Sequence, residues 1–159
     1  MIELIITLAI LSFGIIGVYG AFIPAVTLTY NLSSRFTAAY LAQEGLEIAR
    51  NIRDNNFVTA NPWANSLTSC TTGCQADYTT GTDVVGATPL SGYGSGNFLT
   101  INSDGLYGYN AGTATKFKRK ITTNQDFGQD TLRVDVEVTW DYNGQTLSFE
   151  AEEYLYNWH

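Results

Sequence analysis

Hydrophobic and polar positions follow three different rules along this chain. From residue 1 to about Leu28 the sequence is apolar all round, with no polar face of any width. A helix of that kind must be buried on every side, in lipid or in protein. From about residue 29 to 56 the pattern becomes amphipathic. Leu32, Phe36, Ala39, Ala42, Leu46, Ala49 and Ile52 recur at spacings of three and four and predict one apolar stripe. Arg35, Gln43, Glu44, Glu47, Arg50 and Arg53 fall off that stripe, which suits a solvated face. Asp54-Asn55-Asn56 is the expected helix end, and Asn61-Pro62 supports a stop. One continuous helix over these residues is about 80 Å long at 1.5 Å per residue, more than a domain of this size covers.

The third rule is strict alternation near the C-terminus. Leu132, Val134, Val136, Val138 and Trp140 alternate with Arg133, Asp135, Glu137 and Thr139, as in a strand with one buried face. Asn143-Gly144 is a strong hairpin signal, and Leu147, Phe149 and Ala151 continue the alternation in a return strand. Phe117, Arg119 and Ile121 mark a strand before it. The prediction is an α+β fold: a long N-terminal helix whose apolar half protrudes and whose amphipathic half covers a C-terminal antiparallel meander. The divisions expected are 1–28, a membrane or filament-core helix half; 29–56, the amphipathic half; 57–113, a Gly/Ser/Thr-rich connection; and 114–159, the sheet. Within the connection only Phe98 to Ile101, followed by a turn at 102–105, reads as a short strand.

Charge narrows the function. The 159 residues carry a formal net charge of −7, with 8 basic and 15 acidic residues. Direct nucleic-acid binding, which needs a basic footprint, is not expected. Lys116, Lys118, Arg119 and Lys120 hold half of the 8 basic residues. They read as a solvated strand face or, less simply, as a contact for an acidic neighbour. Cys70 and Cys74 enclose Thr-Thr-Gly, a spacing that closes a tight disulfide loop; with His159 as the sole histidine, no metal or cofactor site is expected. A disulfide places that part of the chain in an oxidising, extracytoplasmic space.

Glu3 is the only charged side chain before Arg35. A carboxylate in a membrane-length apolar helix is costly, and it marks a functional site whose partner has to be found. Gly14, Gly17, Gly20 and Pro24 weaken the helix behind it, because glycine lowers helix propensity and proline removes a backbone hydrogen bond. A simple kink in a membrane helix, or close helix approach at the glycines, uses the same residues.

Ile2-Glu3-Leu4-Ile5-Ile6-Thr7-Leu8-Ala9-Ile10-Leu11 resembles the start of type IV pilins and pseudopilins, and the helix–loop–sheet order with a small disulfide is similar throughout the chain. Leu41 to Asn56 also looks like a helix segment common in bacterial pilin-like proteins. The resemblance implies a filament subunit that is held in the inner membrane and then extracted into a helical extracellular fibre. In that family the Glu stands at the fifth mature position, so Met1 here corresponds either to the third position of a trimmed start or to the first of a shorter head. The N-terminal amine of a neighbouring copy, at Met1, then partners Glu3 and sets axial register. The alternative is that Glu3 interacts with its own amine and helix dipole.

The expected function is a structural pilin, with copies of itself, the pilus assembly machinery and the inner membrane as partners. A minor pilin or secretion pseudopilin is the alternative within the family. A monomeric, membrane-anchored adhesin is the alternative outside it. An enzyme is not expected, since no serine, cysteine or carboxylate has a histidine beside it. Asp104, Asp126 and Asp130 have no calcium-loop spacing and read as solvated turns. The Thr/Ser-rich composition of 59–113 would suit glycans on a surface filament. Tyr78, Tyr93, Tyr107 and Tyr109 are expected to pack rather than to present a site.

Overall fold

The computed structural model describes residues 2–82, 88–125 and 130–158, so Met1, Asp126 and His159, together with the side chain of Pro24, lie outside the described residues. The chain divides into two compact units, Met1–Phe36 and Thr37–His159. Helix α1 spans Ile2–Val58, 57 residues, and is continuous through Gly14, Gly17 and Gly20. It runs two residues past the expected end at Asn56. There the buried Asn56 side chain donates to the Trp63 and Asn65 carbonyls at 3.1 and 3.0 Å, folding the chain back under the helix terminus.

In the first unit every described side chain from Ile2 to Tyr30 is exposed. Polar side chains in this stretch satisfy themselves locally. Thr7 Oγ1 donates to the Glu3 and Leu4 carbonyls at 3.0 Å, Ser12 Oγ to Leu8 O at 2.7 Å and Thr29 Oγ1 to Ala25 O at 3.0 Å. Folding hydroxyls onto the preceding turn is what an apolar surrounding demands, because it offers them no other partner.

The second unit is an α+β structure. After a 3-10 helix at Leu67–Thr72 come short strands β1 (Cys74–Gln75) and β2 (Ser91–Gly92), β3 (Thr100–Ile101), β4 (Tyr107–Gly108) and β5 (Thr113–Ala114). The long strands are β6 (Phe117–Asn124), β7 (Thr131–Tyr142) and β8 (Gln145–Tyr156). The main sheet has the order β2-β1-β6-β7-β8, and a smaller sheet has the order β4-β3-β5; every pairing is antiparallel. The predicted meander is therefore present. The connection before it also contributes β1 to the main sheet, at Cys74 opposite Ile121. Strand β3 falls within the short strand expected at Phe98 to Ile101; the other two-residue strands are too short to carry an alternation that periodicity could reveal.

The core lies between the C-terminal part of α1 and one face of the main sheet. Leu132, Val134, Val136, Val138 and Trp140 are buried from β7, and Phe117 and Ile121 from β6. Burying each large side chain stabilises the fold by roughly 1.5–3 kcal/mol. Asn143 and Gly144 both take positive φ, 51° and 76°, in the tight turn between β7 and β8.

The buried face of α1 departs from the expected stripe. Ala38, Leu41, Ala42, Ile48, Ala49 and Ile52 are buried, whereas Phe36 and Leu32 are 65% and 44% exposed and Ala39 and Leu46 are half-buried. The seam is turned by about one residue so that Gly45 sits on it. A Cβ at Gly45 would stand 2.7 Å from Val136 Cγ1 and 3.2 Å from Arg119 Cδ. Close approach of helix and sheet selects this face, and a count of large apolar residues misses it because glycine scores nothing.

Candidate functional site: an exposed apolar helix and two buried charges

Residues 2–30 present a surface of unusual character. The helix contains an 18-residue window of mean hydropathy 2.2 with no part of it buried, and it is long and apolar enough to cross a membrane. Glu3 lies in its first turn, where a carboxylate complements the positive end of the helix dipole. Glycines at 14, 17 and 20 have nothing within 4 Å of a would-be Cβ, so nothing within this chain requires them to be glycine.

The second unit is held by two buried charged groups that sequence periodicity did not single out. Arg119 is fully buried on the inner face of β6. Its Nη1 donates to Leu41 O at 3.1 Å and pairs with Glu44 Oε2 at 2.7 Å, and its Nη2 donates to Ala76 O at 2.7 Å. Tyr109 Oη donates to Arg119 O at 3.3 Å. One guanidinium thus ties the helix, the sheet and the chain after β1 together. Placing Arg119 on a solvated basic face with its lysine neighbours is corrected by this burial. Arg119 has the inward parity of Phe117 and Ile121, while Lys118 and Lys120 have the outward one. Glu44 is likewise drawn from the expected solvated set into that pair. Burial pushes the Tyr109 hydroxyl up to about 12, against the opposing effect of the nearby Arg119 cation.

Asp77 is the second. Its Oδ1 accepts from Thr79 N at 3.0 Å and Thr79 Oγ1 at 2.7 Å, and its Oδ2 from Thr88 Oγ1 at 2.9 Å and Tyr109 N at 3.3 Å. Burial alone pushes this carboxyl up, but the hydrogen bonds together outweigh it and hold Asp77 below the ordinary carboxylate value. The available sequence signal was Asp77-Tyr78-Thr79, an Asx turn in which the side chain accepts from the backbone two residues on.

Cys70 and Cys74 form a disulfide as predicted, buried at the junction of the 3-10 helix and β1. Arg50 pairs with Glu47, as expected of neighbours on a helix face, and also with Glu153 of β8 at 2.7 Å. The hydrogen bond that Arg50 donates to the Glu153 carboxylate is the chief reason that Arg50 is raised above its ordinary value. Tyr78 is 38% exposed, with its hydroxyl accepting from Asn102, and Tyr107 and Tyr109 pack against the core. Asp104 lies in a turn held by Asn102, and Asp130 accepts from Asn157 at 3.0 Å. Among the described residues, no group of three or more His, Cys, Asp or Glu side chains is placed to hold a metal ion.

No protein-family model, curated protein or solved structure matches this chain.

Proposed function

We propose that this protein is a structural subunit, a pilin, of a type IV pilus-like extracellular filament, assembled through its N-terminal helix. The observation that carries the proposal is the wholly exposed apolar helix with one carboxylate in its first turn. Lipid satisfies such a surface before assembly, and helices of other copies satisfy it afterwards. A plain anchor has the same need for lipid but no use for Glu3, which costs insertion energy. In the fibre, the N-terminal amine of an adjacent copy neutralises Glu3 only when the axial register is correct. The resemblance at residues 2–11 supports the same reading, including inner-membrane storage by the assembly machinery. A minor pilin or secretion pseudopilin shares this chemistry and differs in abundance. A membrane-anchored binding domain differs in having no self-assembly.

Negative-stain microscopy of the full chain after detergent removal separates these readings. Fibres of uniform width are expected from the wild type. Glu3→Ala should lower fibre yield severely while leaving the thermal unfolding of the second unit unchanged. Dispersed, vesicle-bound particles from the wild type would instead establish an anchor.

A further inference from the structure

The solvent face of the main sheet is electrically divided. On β6, Lys118 and Lys120 point outward, with Lys116 just before the strand on the same parity. Lys118 Nζ lies 4.7 Å from the centre of the Phe98 ring and donates to Ser95 O, and Lys120 Nζ lies 5.7 Å from the centre of the Tyr93 ring. Two rings and a carbonyl thus help to position Lys118 and Lys120. Across the same face, β7 and β8 bring acids into direct opposition: Glu137 faces Glu150, and Asp135 faces Glu152. Like charges directly opposite in an antiparallel pair are destabilising. Arg133 relieves Asp135 at 3.1 Å, and Lys120 is Glu137's register partner on the other side. Glu150 and Glu152 on the outer strand are exposed.

We propose that this face is a contact between copies, in which the lysines on and just before β6 of one subunit meet the glutamates of the edge strand β8 of the next. The occupant is a second copy because the chain itself carries both halves of a complementary pair. With a net charge of −7, copies repel one another at most orientations. The outward Lys116, Lys118 and Lys120, with Arg119 turned into the core, are where an acidic neighbour is welcome. Because the two patches differ, the contact is heterologous; it propagates rather than closing on a two-fold axis. It rests on the filament reading and supplies that reading with a lateral, salt-sensitive bond between surface domains, separate from the apolar helix contact.

The test is assembly of the full chain, read by sedimentation and negative stain at low salt and at about 1 M salt, where the Debye length is only about 3 Å. Lys116→Glu with Lys118→Glu should raise the critical concentration for fibres about tenfold at low salt, the effect of losing a few exposed charge pairs. Glu150→Lys with Glu152→Lys should do the same from the other side. Combining all four substitutions in one chain should restore assembly, which a merely structural role for these residues would not allow. Thermal unfolding checks that each variant is folded, and either pair alone reads the contact if the other pair misfolds. Fibres from the reversed proteins that match wild type in yield and salt response would overturn this contact and leave the filament reading standing. Absence of wild-type fibres at every salt concentration would remove the filament reading itself, and the contact with it.

Discussion

Helix α1 meets two environments, and its two ends solve different problems with the same backbone. Between Ile2 and Tyr30 no described side chain is buried, and hydroxyls fold back onto the preceding turn. Between Ala38 and Asn56 the helix presents a narrow seam of small and branched residues to a sheet, and a buried arginine reaches back to it. The first stretch exposes apolar side chains and keeps its hydroxyls bonded to its own backbone. The second is made for one specific neighbour, with polar groups matched atom by atom. Stability of the second unit should therefore respond sharply to point changes along the seam. Changes in the first stretch should leave that stability untouched and act only where other molecules surround the helix.

The largest expected effect within this contrast comes from Arg119→Ala. It strands the Ala76 carbonyl, weakens the hold on Leu41 and leaves Glu44 without its cation, and removing one partner of a buried pair costs about 3–5 kcal/mol. Chemical denaturation of the full chain in detergent measures it. A loss below about 1 kcal/mol would mean that the tie between helix and sheet is made elsewhere.

Asp77 is next. Its folded value lies below the unfolded one, so its contribution is present at neutral pH and is lost as the pH falls through the folded value, below about pH 4. Asp77→Asn should cost about 1–3 kcal/mol near neutrality, since an amide cannot accept every hydrogen bond the carboxylate does. The gap between variant and wild type should close in acid. An unchanged gap from about pH 7 to about pH 3 would mean that the charge on Asp77 contributes nothing.

These two residues also show where sequence reading stops. The helix, the strand from Leu132 to Trp140, the Asn143-Gly144 turn and the Cys70–Cys74 bridge were legible because each is a local pattern with a local cause. Arg119 was not, because burial depends on its parity in β6 and on a partner 75 positions away. The parity was visible in Phe117 and Ile121, but a positive charge outweighed it in the reading. Asp77 was hidden for a related reason. Thr79 is local to it, but its other partners, Thr88 and Tyr109, come from separate segments whose meeting no periodicity announces. The seam of α1 was placed one residue off because large apolar residues such as Phe36 marked the wrong face, when close packing required Gly45.

Glycine gives the finest test of the contrast, because one substitution has opposite meanings in the two stretches. Gly45→Ala sets a methyl 2.7 Å from Val136 Cγ1, inside any real contact distance, so helix and sheet must part. Overpacking of this kind costs about 1–3 kcal/mol, more than the helix propensity that alanine gains. Gly17→Ala meets nothing within 4 Å in this chain. Its direct effect is a helix more favourable by up to about 1 kcal/mol, with no change in the unfolding of the second unit. Fibre assembly is the discriminating readout for Gly17. If neighbouring helices approach closely there, the added methyl lowers fibre yield while the melting curve stays the same, as small residues at membrane helix contacts would require. If yield is unchanged or rises, Gly17 marks no contact, and the weak helix propensity of residues 14–20 is left as its only physical consequence.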